Sequence, residues 1–228
     1  MRSLRGSGHL QIIPAARLRI TEIFHSIQGE STHMGRPCVF IRLAGCPLRC
    51  TWCDTTYAFH DGAEMDLATV MGRVREIDCR LVEITGGEPL SQPMVFPLIT
   101  WLCNEGFEVL IETSGAVDVT PVDVRAQLIL DLKCPGSGMT ERMQWANLDH
   151  LQPHDQVKFV IRDRKDYCWA RDIMTQYRLT ERCTVLVGPV FGELEPRLLA
   201  EWVLADRLPV RMQLQLHKYI WDPAQRGV

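Results

Sequence analysis

Three cysteines fall within eight residues, at Cys46, Cys50 and Cys53, in the stretch Gly45-Cys46-Pro47-Leu48-Arg49-Cys50-Thr51-Trp52-Cys53-Asp54-Thr55. Nothing else in the 228-residue chain restricts its possible folds as much. Sulfur is the soft ligand of iron–sulfur clusters and of zinc, so a C-x3-C-x2-C run points to a metal centre. A closed structural zinc site wants four protein ligands. Three thiolates with no neighbouring fourth suit a four-iron cluster that keeps one iron free to bind something else. The C-x2-C spacing alone is weak evidence. The whole run, with Trp52 before the last cysteine, is specific.

The segments around the loop indicate how it is held. Cys38–Leu43 is apolar and β-branched, and reads as a buried strand that delivers the chain to the cysteines. Leu18–Phe24, Leu81–Thr85, Glu108–Thr113, Leu128–Leu132, Gln156–Ile161, Cys183–Val187 and Arg211–Leu216 read as further strands. Met65–Ile77 has helical spacing at Leu67, Val70, Met71, Val74 and Ile77. Pro93–Asn104, Asp166–Tyr177 and Glu195–Ala205 read as helices. Alternating strand and helix argues an α/β fold with a mainly parallel sheet, whose ligands gather outside the strand C-terminal ends. Periodicity alone does not separate an open barrel from a doubly wound sheet. Met1–Arg17, with Gly6, Ser7, Gly8 and Pro14, reads as a flexible N-terminal extension before one domain over residues 18–228.

Composition narrows the partners. A net charge of −3 gives no electrostatic footprint for nucleic acid. No apolar run approaches the roughly 20 residues of a membrane helix. The nine cysteines are odd in number, and no secretory signal is evident, which argues a reducing, cytoplasmic setting. Cys38, Cys79, Cys103, Cys134, Cys168 and Cys183 are scattered and read as buried, inert thiols.

The cysteine stretch resembles the cluster loop of radical S-adenosylmethionine (SAM) enzymes. Phe24-His25-Ser26-Ile27-Gln28-Gly29-Glu30, Arg42, Cys53-Asp54-Thr55, Thr85-Gly86-Gly87-Glu88-Pro89 and Asp131-Leu132-Lys133 with Pro135 narrow the resemblance to the 7-carboxy-7-deazaguanine synthase family. The match runs in register from about Arg19 to the C-terminal end. It implies a single-domain partial (open) β/α barrel, a [4Fe-4S] cluster, SAM and Mg2+. The implied reaction turns 6-carboxy-5,6,7,8-tetrahydropterin into 7-carboxy-7-deazaguanine with loss of ammonia, on the route to queuosine. A homodimer and an electron donor such as flavodoxin or ferredoxin are further implications.

The same resemblance assigns roles. Cys46, Cys50 and Cys53 are the cluster ligands, and Trp52, Cys53 and Asp54 contact SAM. Gly87 lies on SAM, and Asp131 and Lys133 form another SAM-contacting segment, with an Asp–Lys ion pair as the bland reading. Thr55 supplies a magnesium ligand; its hydroxyl is a hard oxygen donor suited to that ion, and helix capping is its other common use. Ile27, Gln28 and Gly29 face the pterin ring, with Glu30 as a further partner or a structural acceptor. Thr85 lies on the substrate; His217, after the last strand, closes over the substrate or is a structural histidine. Arg42, a charge in an apolar run, needs a partner; it reads as a fork for the substrate carboxylate or as half of a structural ion pair. No acid or base for ammonia loss stands out.

Two other readings stay open on the residues. One is a different small radical SAM enzyme, such as an activase that places a radical on a partner protein; Gln28-Gly29-Glu30 and Thr55 weigh against it. The other is a non-catalytic zinc module completed by a histidine such as His60.

Overall fold

The inward- and outward-facing positions of the strands carry different chemistry, and this positions everything else. A computed structural model describes residues 16–228. Nine strands form one sheet: β1 (Arg17–Ile27), β2 (Pro37–Leu43), β3 (Ala63–Asp66), β4 (Leu81–Gly86), β5 (Glu108–Thr113), β6 (Gln127–Asp131), β7 (Gln156–Ile161), β8 (Thr184–Pro189) and β9 (Arg211–Met212). Their spatial order is β3-β1-β2-β4-β5-β6-β7-β8-β9, so the sheet is open and does not close on itself. From β2 to β9 every pairing is parallel, while β1 runs antiparallel to both β2 and β3. This is the open β/α barrel expected.

Side chains alternate across each strand, so one face carries Val39, Ile41, Leu43, Val82, Ile84, Val109, Ile111, Leu128, Leu130, Val157, Phe159 and Ile161. That face packs under α1 (Leu67–Glu76), α2 (Val95–Asn104), α3 (Arg164–Gln176) and α5 (Pro196–Asp206) in the main apolar core. Each such side chain, fully buried, contributes about 1.5–3 kcal/mol. The inner face is divided. Cys38, Phe40, Leu81, Leu110 and Ile129 form a small second apolar cluster, with Phe24 stacked on Phe40 at 4.9 Å. One pleat further along the strands, the inner positions become Arg42, Glu83, Thr85, Glu112, Asp131 and Lys158. An apolar plug therefore floors a polar cavity at the strand C-terminal ends.

Several expectations shift. The Met65–Ile77 helix starts only at Leu67, because Asp66 accepts the Thr69 amide at 2.8 Å and caps it. Ala63–Asp66 is instead an edge strand on β1. β9 is two residues rather than six: the Gln213 amide still bonds Val187 O of β8 at 2.9 Å, while the Gln213 and Gln215 side chains hold the β1–β2 loop, Gln213 Oε1 accepting from the Ser31 amide at 2.7 Å. Strand–helix alternation fails between β5 and β6, where turns connect them, and between β6 and β7, where only 3-10 turns lie. α4 (Leu179–Arg182) and α6 (His217–Ile220) are single turns with too little periodicity to read.

The extension expected over Met1–Arg17 lies, as far as residue 15, outside the described residues; Ala16 is buried and Arg17 opens β1. Of the six cysteines expected to be buried, Cys38 and Cys134 are, while Cys79, Cys103, Cys168 and Cys183 are half-buried, packed at the margin of the core.

Candidate active site

The strand C-terminal ends enclose a cavity of about 670 Å³. Every residue assigned a role from the sequence lines it: the three cysteines, Trp52, Asp54 and Thr55 from the cysteine loop; Ile27, Gln28 and Gly29 from the end of β1 and the turn after it; Arg42 from β2; Thr85 from β4 and Gly87 just past it; Asp131 from β6 and Lys133 just past it; and His217 from α6.

The cysteine loop is fixed at two places. Thr51 bonds the β6–β7 connection, its amide to Ser137 O at 3.2 Å and its hydroxyl to Gly136 O at 2.9 Å. On the other side the Gly86-Gly87-Glu88 turn lies on the loop's own backbone, Glu88 N donating to Gly45 O at 2.8 Å and Gly87 N to Leu43 O at 3.0 Å. A Cβ on Gly87 would sit 2.1 Å from Gly45 O and 2.9 Å from Cys46 Cβ. The absence of a Cβ thus lets the turn's backbone approach the cysteine loop closely. Glu88, wholly buried, accepts from Leu90 N, Thr113 Oγ1, Ser114 N and Ser114 Oγ at 2.5–3.0 Å, pinning the turn to the end of β5. Gly87→Ala is expected to destabilise the fold by about 3 kcal/mol or more, since the clash is with backbone rather than a movable side chain. Denaturant unfolding reads that loss, and bound iron should fall with it.

The donor set suits an iron–sulfur cluster. Three thiols face one cavity, and among the described residues no three His, Cys, Asp or Glu side chains gather into a site for a single ion. Burial pushes the Cys46 and Cys50 thiols up, with the Lys133 ammonium pulling both back. A metal centre would supply the rest of what the thiolate form needs.

Trp52 is half-buried and lines the cavity beside the cysteines. Thr55 stands at the N-cap of a 3-10 turn over Thr56–Phe59, but its hydroxyl makes no capping bond. Its Oγ1 lies 3.4 Å from Asp54 Oδ1. Desolvation works against the Asp54 charge, but Lys218 Nζ at 2.7 Å outweighs it and holds the carboxyl down at about 2.

Arg42 is ion-paired, Nε to Glu22 Oε1 at 2.7 Å, and Tyr57 donates to the same oxygen at 2.8 Å. Among the described residues this is the only hydrogen bond of its guanidinium, which leaves its two terminal nitrogens without a hydrogen-bond partner at a residue that lines the cavity. Lys133 pairs with Asp131 Oδ2 at 2.7 Å, the ion pair weighed from sequence; Asp131 Oδ1 is buried without a partner among the described residues. Glu30 is a structural acceptor, bonded by Lys158 at 2.9 Å, Gln215 at 2.9 Å and Gln213 at 3.2 Å. Burial opposes its ionisation, but Lys158 and Gln215 prevail and its carboxyl sits below the usual range. His217 packs so close to Gly29 that a Cβ there would lie 2.3 Å from its Nδ1. Burial lowers its pKa against the pull of Glu30 and Asp54, favouring the neutral ring.

The structure adds groups not singled out from sequence. Lys158 is bonded to Glu112 as well as Glu30, Gln28 donates to Glu83, and residues 223–228 line the cavity, with Arg226 stacked 3.7 Å from the Tyr57 ring centre. Glu83, Glu112 and Lys158 each interrupt an apolar strand, the signal used for Arg42 and applicable to all three.

Comparison with known proteins agrees with this site. Residues 40–139 match the radical SAM superfamily. A 7-carboxy-7-deazaguanine synthase from Chlorobaculum tepidum is 50% identical over 216 residues, covering 93% of this chain and 98% of its own. Another from Koribacter versatilis is 43% identical, covering 92% of this chain and 100% of its own. The crystal structure of QueE from Escherichia coli superposes with a TM-score of 0.76 at 25% identity, covering 93% of this chain and 100% of that one. A loop of three thiols clamped by a Gly-Gly-Glu turn at the mouth of an open barrel is therefore not an isolated likeness: the chain belongs to the radical SAM superfamily and, within it, to the 7-carboxy-7-deazaguanine synthase family.

Proposed function

We infer that the chain is a radical SAM lyase that converts 6-carboxy-5,6,7,8-tetrahydropterin to 7-carboxy-7-deazaguanine with loss of ammonia, in queuosine biosynthesis. The observation that carries the reading is the convergence on one cavity of the cysteine loop, the Gly86-Gly87-Glu88 turn and the Gln28-Gly29 segment. When bound, the cluster and SAM supply a radical that removes a hydrogen atom from the substrate and returns it. The chain's part is to position and to exclude water. Incubation of anaerobically reconstituted protein with SAM, a reductant, magnesium and the carboxy-tetrahydropterin should give the deazaguanine, read by mass. Consumption of SAM without that product would reject the assigned substrate.

The residue roles proposed are those the family resemblance implies. Cys46, Cys50 and Cys53 hold the cluster. Trp52, Asp54, Gly87, Asp131 and Lys133 hold SAM; the unpartnered Asp131 Oδ1 is an acceptor suited to a ribose hydroxyl. The terminal nitrogens of Arg42 grip the substrate carboxylate. Ile27, Gln28, Gly29, Thr85 and His217 surround the ring.

Thr55 holds magnesium together with substrate oxygens and water, a reading supported by its hydroxyl being unspent on capping. Chelation of magnesium is expected to lower turnover of the wild type by about tenfold or more, a loss of at least ~1.4 kcal/mol of transition-state stabilisation. Thr55→Ala should need more magnesium for half-maximal rate, which a metal titration reads.

Further proposals concern setting. The nine free thiols suit a reducing compartment, hence the cytoplasm. No helix among the described residues is long and apolar enough to cross a membrane. A flavodoxin or ferredoxin as electron donor and a homodimeric assembly are carried over from the family resemblance.

A further inference from the structure

Glu83 lies in the middle of β4, only 2% exposed, on the inner face directly above the apolar plug of Leu81, Leu110 and Ile129. Gln28 Nε2 donates to its Oε2, while Gln28 Oε1 accepts from the Glu30 amide at 2.8 Å, so the orientation of that amide is set from both ends. On the neighbouring strand Glu112 is within hydrogen-bonding reach of Glu83 and also accepts from Lys158. The charged and titratable groups facing Glu83 are Glu112 on β5, Glu30 on the β1–β2 loop, Lys158 on β7 and the thiol of Cys38 on β2. Around this point four carboxyls, those of Glu30, Glu83, Glu112 and Asp131, share two ammonium groups, Lys158 and Lys133. Lys158 is engaged by Glu30 and Glu112, and Lys133 by Asp131, which leaves Glu83 with no cation of its own. An unpaired buried carboxylate is costly, and two carboxyls in contact do not both ionise readily.

We propose that Glu83 is a positioning residue: a neutral acid that accepts from Gln28, donates to Glu112, and thereby fixes what both present to the substrate. Burial, Glu112 and Glu30 push its carboxyl well above the usual glutamate range, against the opposing pull of Lys158. The inference rests on the pterin reading of the cavity.

Two variants of the reconstituted enzyme test it. E83Q has the shape and neutrality of the protonated acid, its carbonyl accepting from Gln28 and its amide donating to Glu112. It should keep KM within about twofold of wild type at neutral pH, whereas E83A should raise KM about tenfold with kcat changed less. With rising pH the wild-type KM should climb as Glu83 ionises, and that of E83Q should not. Infrared difference spectra between wild type and E83Q, taken without substrate, should show a protonated carboxylic acid stretch in the wild type alone. E83Q as impaired as E83A at neutral pH, or absence of that band, would overturn the proposal. Should the wild type fail to turn over the pterin, the substrate reading falls, and the infrared band still decides whether Glu83 holds a proton.

Discussion

Cys50→Ala is expected to abolish turnover and iron binding while leaving a soluble, folded chain. Cys50 is half-buried, lines the cavity, and its thiol makes no hydrogen bond among the described residues. It packs only at the margin of the apolar core, so removing its one sulfur atom costs far less than truncating a core side chain. The loop keeps its anchors at Thr51 and at the Gly87 turn. Two remaining thiolates, with no fourth cysteine lining the cavity, cannot replace the third ligand. The rate should drop by at least ~10⁶-fold, the low end of enzymatic rate enhancements. Circular dichroism and denaturant unfolding close to wild type, alongside a colourless protein, would separate this outcome from misfolding.

Lys158→Met is expected to be the most destabilising single change at the cavity floor. The ammonium is nearly buried and faces Glu30, Glu112 and, at 3.5 Å, Asp131. Removing one partner of a buried ion network leaves uncompensated charge and costs about 3–5 kcal/mol. The loss should depend on pH. In the wild type, burial disfavours charge on Glu30 and Asp131, but the lysines outweigh it and hold both carboxyls below their ordinary values. Those groups therefore stabilise the fold above the unfolded values and lose that contribution as pH falls through the folded ones. Without Lys158, burial dominates at Glu30, whose value then rises, so its cost appears as pH increases above the unfolded value. Denaturant unfolding should show the gap between wild type and variant narrowing as the pH is lowered toward the ordinary glutamate value of 4.5. A gap independent of pH would place the effect in packing instead.

What could be read from the sequence and what could not follows from distance along the chain. The cysteine loop is local, and its chemistry is carried by spacing alone. The strands were legible because Val39–Leu43 or Val109–Ile111 are buried on the helix side by residues of one type. The charge network at the floor was not, because Glu83, Glu112 and Lys158 come from three strands and acquire meaning only when parallel pairing brings them onto one inner face. The β1–β2 loop is a similar case: Ser31 and Gln213 are 182 residues apart, and their bond ties the loop to the end of β9. Arg42 and Asp131 each carried two readings; the structure shows the ion pair of both and also leaves each with free hydrogen-bonding capacity in the cavity.

The most direct measurement is iron and acid-labile sulfide on protein isolated without oxygen, followed by the electron paramagnetic resonance of the reduced form with and without SAM. About four of each per chain, and a signal that changes when SAM is added, are expected of a cluster with one open iron. Material with neither iron nor sulfide, or a signal indifferent to SAM, would contradict the assignment of Cys46, Cys50 and Cys53.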